Sequence, residues 1–175
     1  MQRFEAAYGR VLDALALIAC ALILGMTLMI CADVFLRNVR IIPSLVGLEW
    51  ANEISEAMLF LVTLFTAPWL LRRGQHIRVD IVLRAVPPRL GWVFEWIVDT
   101  LGLGCCALIA WYSARAAWAS FAASSLSIKT LITPEWWLLS VLPLAFAALT
   151  VEMLFRMRRL YLGPRAPRDD AVSTG

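Results

Sequence analysis

Acidic residues at helical spacing stand beside a long apolar run, and they are the first candidates for chemistry. Glu49, Glu53 and Glu56 are separated by four and three residues, which places them on one face of a helix. Carboxylates at a membrane span can form a cation or proton site, or, with neighbouring Trp50, anchor basic groups of a partner protein. Solvated charges at a helix start are the third interpretation, because the partial positive charge of a helix N-terminus favours acids.

A second acidic pair, Glu95 and Asp99, lies one helical turn apart at the start of the third apolar run. We expect Arg72 and Arg73, at the end of the second run, to neutralise this pair in a structural ion pair. A contact with a partner protein and a transport carboxylate are the alternatives. Three further acids precede an arginine by four positions, which favours a local ion pair on a helix: Asp33 and Arg37, Asp80 and Arg84, and Glu152 and Arg156.

The residue sets on which most catalysis and cofactor binding depend are missing from the sequence. His76 is the only histidine, so a membrane haem cannot have two axial histidines. The cysteines form no CxxC pair and lie within apolar runs, where cysteine acts as a small hydrophobic residue: Cys20, Cys31, Cys105 and Cys106. No hydroxyl has a base to activate it, and the basic residues flank apolar runs instead of forming a nucleic-acid patch. We expect no enzyme activity, no cofactor or metal, and no nucleic-acid partner.

The composition requires a membrane around these residues. The 175 residues are 61% hydrophobic and 17% charged, against about 45–50% and about 25% in soluble domains. We expect an all-α membrane protein in which residues 1–162 form a four-helix membrane domain and residues 163–175 a disordered cytoplasmic tail. Residues 113–133 are expected to lie along the membrane interface. The four transmembrane helices are predicted to span about 12–34, 49–71, 92–113 and 135–156.

The distribution of basic residues orients these helices. Twelve of the 16 Lys and Arg residues fall in the N-terminal segment, the second loop and the C-terminal segment, which share one side of the membrane in a four-span chain. The positive-inside rule therefore places both termini in the cytoplasm. Trp residues near the ends of the apolar runs mark the headgroup layers. Small residues in the third run are candidates for close contacts between helices: Gly102, Gly104, Cys105 and Ala107.

Several short motifs occur in a fixed order within residues 10–155. They are VFLRN at 34–38, EWANE at 49–53, RRGQHIRVD at 72–80, Pro87-Pro88, SLS at 125–127, PEWW at 134–137 and Pro143. This ordered set, together with four spans and the chain length, resembles the small permease subunit of TRAP transporters (tripartite ATP-independent periplasmic transporters), the DctQ-like family.

The resemblance implies a non-catalytic scaffold in a bacterial inner membrane. In this family a periplasmic binding protein captures an organic acid or similar solute, and a large permease subunit carries it with an ion gradient. The small subunit supports the large one and offers part of the docking surface. The implied partners are therefore the large permease subunit, the docking binding protein and membrane lipid. Within the family's loop motif, His76 is expected to form a structural hydrogen bond, with a solvated loop histidine as the alternative, and Arg73 and Asp80 are further candidate contacts.

Two other functions also fit the residues. A small self-contained four-helix exporter would dimerise around a membrane-embedded carboxylate, whereas the acids of this chain lie near the ends of the spans. A membrane anchor of another enzyme complex is the second alternative. It would be purified with a soluble subunit, whereas a TRAP subunit would be purified with a larger membrane protein.

Overall fold

The computed structural model describes residues 2–38, 48, 50–74, 87–128 and 132–162. Within these ranges each of the four helices contains a segment that is long and apolar enough to cross a bilayer. The predicted four-span all-helical class is therefore confirmed, and a short β-hairpin is added to it. The elements in chain order are α1 (Gln2–Asn38), α2 (Ala51–Arg72), α3 (Pro88–Ala122), β1 (Leu126–Ile128), β2 (Ile132–Pro134) and α4 (Trp136–Leu162).

Helices α1 and α2 form the first hairpin. At one end of this hairpin Gly9 lies against Arg72, and at the other the Asp33 carboxylate accepts a hydrogen bond of 2.6 Å from the Leu48 amide. Gly9 and Asp33 are separated by a rise of about 36 Å along α1 at about 1.5 Å per residue. A hydrocarbon layer of about 30 Å fits between the two contacts. Gly74 follows α2 with a φ of 67°, a left-handed conformation that glycine adopts without strain.

Helices α3 and α4 form the second hairpin, and their contacts fix its register. Asp99 lies opposite Arg156, Gly102 lies opposite Met153, and the ring of Phe121 lies opposite that of Trp136. The two helices are therefore antiparallel, and residue numbers along α3 rise as those of the residues opposite them on α4 fall. The hairpin of β1 and β2, antiparallel with Leu126 opposite Pro134, connects the two helices.

The end of α3 differs from the sequence prediction. Residues 113–122 do not form a separate interfacial segment, because α3 continues without a break to Ala122. The helix ends where Ser124 takes a φ of 48° and the Ser125 amide donates to the Ser120 carbonyl. The hydroxyls of Ser120 and Ser125 lie 2.8 Å apart and reinforce this end. The many small side chains of this stretch lower its hydropathy without interrupting the helix.

In α3 the distribution of polar residues is the reverse of that in a soluble bundle. Buried positions of α3 carry small or polar side chains, whereas large apolar side chains point outward. Lipid tails solvate apolar side chains well, so helices in a membrane associate through small residues and hydrogen bonds instead of buried apolar area. The buried polar residues of α3 are Glu95, Asp99, Ser113 and Ser120. The exposed apolar residues include Leu101, Leu108, Trp111 and Trp118.

Of the four small residues predicted to make close contacts in α3, Gly102 makes one. A Cβ at Gly102 would lie 2.9 Å from Cε of Met153, whereas a Cβ at Gly104 would meet nothing within 4 Å. Cys105 and Ala107 are exposed. These three residues make no close contact with another helix in the described part of this chain, because composition marks a helix as closely packed but does not say which face is packed or against what.

Candidate functional site

A buried ion-pair network joins α1, α2 and α4 at the end of the molecule that carries residue 2 of α1 and residue 162 of α4, which we call the termini end. Its centre is Glu152 on α4, whose exposed fraction is 0%. Arg159, two turns further along α4, donates Nη2 to Glu152 Oε1. Arg72 at the end of α2 donates Nη1 to Glu152 Oε2 over 3.4 Å. Both carboxylate oxygens of Glu152 are therefore engaged by guanidinium groups.

Arg72 also fixes the start of α1 to the other helices. Its Nη2 donates to the Glu5 carbonyl over 3.1 Å, and its guanidinium lies 5.9 Å from the centre of the Tyr8 ring. A Cβ at Gly9 would lie only 2.8 Å from Nη2 of Arg72, so glycine provides the space for the guanidinium. The Tyr8 hydroxyl donates to the Ala148 carbonyl over 2.8 Å and thereby ties α1 to α4. The ion-pair network thus comprises Glu5, Tyr8, Arg72, Glu152 and Arg159.

A second buried pair joins α3 to α4 at the same end. Arg156 Nε donates to Asp99 Oδ1 over 3.1 Å, and the Asp99 side chain is 2% exposed. Glu95 is also buried, one turn earlier on the same face of α3. Because α3 and α4 run antiparallel, a carboxylate near the start of α3 meets an arginine near the end of α4.

A more exposed cluster joins α1 to α2 on the surface of the termini end. Trp69 Nε1 donates to Asp13 Oδ1 over 2.9 Å. The Arg73 guanidinium lies 4.8 Å from the centre of the Trp69 ring, and its Nη2 lies 3.8 Å from the same Asp13 oxygen. Both charged side chains are more than half exposed, so this pair contributes at most about 1 kcal/mol to stability.

Two predicted ion pairs are therefore corrected. Arg72 and Arg73 were expected to neutralise Glu95 and Asp99, but Arg72 binds Glu152 and Arg73 binds Asp13. The reason is the order of packing, because α2 contacts α1 and α4. Glu152 was expected to pair locally with Arg156, but its partners are Arg72 and Arg159, while Arg156 binds Asp99. The predicted pair of Asp33 and Arg37 is confirmed at 2.8 Å.

The predicted acidic face lies at the opposite end of the molecule, where α1 ends and α2 begins. Trp50 precedes α2 and is exposed, Glu53 is half-buried in the first turn, and Glu56 is exposed one turn further. Glu49 lies outside the described residues, as do His76, Asp80 and the tail from 163 to 175. The interpretations of these residues therefore remain predictions.

Sequence reasoning missed the residues that hold the network together. Glu5 and Tyr8 precede the predicted first span, yet α1 begins at Gln2 and brings the Glu5 carbonyl and the Tyr8 ring to Arg72. Glu152 gave a usable signal, since an acid inside an apolar run of a membrane helix needs a partner. Its partner on α2 could not be named, because a sequence does not state which helices are neighbours.

The geometry suits holding helices together better than moving an ion. Each oxygen of Glu152 is bound by a guanidinium group whose positive charge disfavours a transported cation, and Asp99 is engaged by Arg156. Buried ion pairs of this kind add geometric specificity to helix packing, because removing one partner leaves a buried charge without compensation. The described residues thus supply a rigid polar joint among four membrane helices.

Comparison with known proteins gives the family. The family model described as tripartite ATP-independent periplasmic transporters, DctQ component, matches residues 26–163 of the 175. No curated protein matches the chain. The match covers α2, α3 and α4 together with the last third of α1, and it agrees with the resemblance of the short motifs. The chain is a multi-pass membrane protein and belongs to the family of DctQ components, the small permease subunits of TRAP transporters.

Proposed function

We propose that this chain is a non-catalytic scaffold in a bacterial inner membrane. It supports a larger permease subunit during binding-protein-dependent, ion-gradient-driven uptake of an organic acid or a similar solute. Both termini lie in the cytoplasm, where the termini end carries the buried ion-pair network. On the periplasmic side, the start of α2 with Trp50 and Glu53 offers part of the surface on which the binding protein docks.

The observation that carries this proposal is the polar joint at the termini end. Glu152 and Asp99, buried acids within the apolar helices, are each occupied by an arginine of the same chain. A carrier needs a site that releases and rebinds its ion or solute, whereas a scaffold needs helices that hold their arrangement. The large apolar side chains on the outer faces further support a subunit that is surrounded by lipid and by another membrane protein.

The experiment has two parts. An affinity tag is placed after Gly175 in cells that also express the neighbouring transporter genes, and the chain is purified in mild detergent. We expect a larger membrane protein to be purified with it in fixed proportion. Vesicles that contain this chain alone are expected to accumulate no organic acid under a sodium or proton gradient. Uptake by such vesicles would show a self-contained carrier, and purification with a soluble enzyme subunit would show an anchor of another complex.

A further inference from the structure

Helix α3 carries a continuous exposed face that α4 does not cover. Its members recur at spacings of three, four or seven residues along the helix and are all exposed: Ile97, Leu101, Leu108, Trp111, Arg115 and Trp118. We name this set the outer stripe. It includes a shallow groove of about 550 Å³ between Trp96 and Leu108, and Gly104 is one of the residues that line it. Five of the six side chains are apolar, and Arg115 is the exception.

The register of α3 and α4 gives the depth of Arg115. Since Asp99 lies opposite Arg156 and Phe121 lies near Trp136, Arg115 is level with Ser140 on α4. Ser140 is within the helix that begins at Trp136, and within the span predicted from residue 135. Arg115 therefore lies beside the first turns of α4, two residues beyond the predicted third span of 92–113 but within the apolar helix Leu90–Ala122, and its side chain is exposed. Charged side chains at such positions rarely face lipid and almost always meet a partner.

We propose that the outer stripe is the face on which α3 receives a transmembrane helix of the larger permease subunit, and that this helix presents a carboxylate to Arg115. The proposal deepens the proposed function and rests on it. Charge complementarity selects the partner, because the described residues of this chain give Arg115 no hydrogen bond or ion pair. A side chain of the incoming helix has room to pack at Gly104, because a Cβ there would have nothing within 4 Å.

A lipid headgroup is a less suitable partner for the Arg115 guanidinium than a carboxylate of another transmembrane helix. Side chains on a helix lean toward its N-terminus, so Arg115 leans away from the headgroup layer at the C-terminal end of α3. Trp118, one turn closer to that layer, is exposed on the same stripe. To reach a lipid phosphate, the Arg115 side chain would have to turn back toward the C-terminal end of the helix, against this lean.

A second copy of this chain is also a poor occupant. Two copies with the same membrane orientation that are related by a two-fold axis would place the outer stripes face to face. The two Arg115 cations would then meet at the same depth, without a carboxylate between them. Like charges in a low-dielectric layer repel strongly, so the symmetric contact is excluded on electrostatic grounds.

The test compares two positions at equal depth on different faces. Trp111 is 66% exposed on the outer stripe, and Leu144 is 70% exposed at the matching level of α4. The photo-crosslinker p-benzoylphenylalanine is placed at either position in the full chain, expressed with the transporter genes. Trp111 is expected to crosslink the larger membrane protein that is purified with the wild-type chain, and Leu144 is expected to give no such product.

The charge is tested separately with variants of the exposed arginine. Arg115→Glu is expected to lower the amount of purified partner about tenfold, while Arg115→Lys retains most of it. Replacing the acid nearest to the crosslink in the partner by lysine should restore assembly with Arg115→Glu. The level of the chain in the membrane is measured for each variant. If Arg115→Glu lowers that level, the crosslinks from positions 111 and 144 alone decide whether the outer stripe contacts the larger subunit.

The outcomes separate this inference from the proposed function. If the partner is purified with the chain but crosslinks to position 144 instead of position 111, the outer stripe is not the interface with the larger subunit. The proposed scaffold role would stay intact. Crosslinks from Trp111 to phospholipid, with partner recovery unchanged in Arg115→Glu, show a lipid-facing stripe and overturn the inference as well. If no larger membrane protein is purified with the wild-type chain, the proposed function itself fails.

Discussion

Arg72 and Glu152 face each other across the interface of α2 and α4, with Nη1 of the arginine 3.4 Å from Oε2 of the carboxylate. The pair connects the hairpin of α1 and α2 to the hairpin of α3 and α4. In a membrane, where apolar area gives helices little reason to associate, such a polar bond determines which helices become neighbours.

Glu152→Gln is expected to destabilise the joint while preserving its shape. The change leaves Arg72 and Arg159 without their carboxylate, and removing one partner of a buried pair costs about 3–5 kcal/mol. We expect a loss of about 3 kcal/mol in the free energy of unfolding, because the two arginines are partly exposed and water can reach them. The free energy of unfolding is measured by denaturation in mixed micelles.

Arg37→Gln is the matched control for this change. Arg37 pairs with Asp33 over 2.8 Å, but the arginine is 57% exposed. Removal of an exposed helix pair is expected to change the free energy of unfolding by less than about 1 kcal/mol. Equal effects of Glu152→Gln and Arg37→Gln would contradict the assignment of the buried network as the joint between the hairpins.

Gly9→Ala and Gly25→Ala form a second matched pair, since both change a glycine to alanine in α1. The new Cβ at position 9 would lie 2.8 Å from Arg72 Nη2, whereas position 25 has nothing within 4 Å. Arg72 is held by Glu152 and by the Glu5 carbonyl, so it cannot move aside freely. We expect Gly9→Ala to destabilise the protein by about 1–3 kcal/mol.

Gly25→Ala is expected to be neutral or to stabilise by up to about 1 kcal/mol, because alanine favours a helix more than glycine does. In a chain that carries Arg72→Gln, the effect of Gly9→Ala should shrink, since the shorter side chain leaves room for the methyl group. Gly9→Ala that is as harmless as Gly25→Ala in the wild-type chain would show that Arg72 does not occupy the space beside Gly9.

A double-mutant cycle tests the corrected partner of Asp99. Asp99→Asn and Arg156→Gln remove the two ends of one buried pair, so their effects on the unfolding free energy should not add. We expect a coupling of about 0.5–3 kcal/mol between them. Asp99→Asn combined with Arg72→Gln is expected to be additive within about 0.5 kcal/mol. Strong coupling in the latter combination would restore the pairing predicted from the sequence.

The sequence predicted the helices well because their signal is local. Long apolar runs with few charges define membrane helices without reference to any other part of the chain. The pair of Asp33 and Arg37 was also predictable, because both residues lie four positions apart on one helix. The extension of α3 through residues 113–122 was missed, since hydropathy measures the preference for lipid and not the continuity of a helix.

The pairing between helices could not be predicted in the same way. The partner of Glu152 depends on α2 lying beside α4, and the partner of Asp99 depends on the register of α3 and α4. Neither fact is encoded in the spacing of residues along one segment. Gly9 shows the same limit, because its role is evident only once Arg72 is placed against it.

The orientation of the chain is the last prediction, and it can be tested without a structure. Alkaline phosphatase is fused after Ile42, Arg84, Lys129 or Pro164, and its activity is measured in whole cells. The enzyme needs disulfides, which form in the periplasm and not in the cytoplasm. Since twelve of the 16 Lys and Arg residues lie on the side of the termini and the second loop, that side should stay in the cytoplasm. Activity is therefore expected for the fusions at Ile42 and Lys129 only. High activity at Arg84 or Pro164 would show that the chain has the opposite orientation. The ion-pair network would then lie on the periplasmic side and the acidic face on the cytoplasmic side.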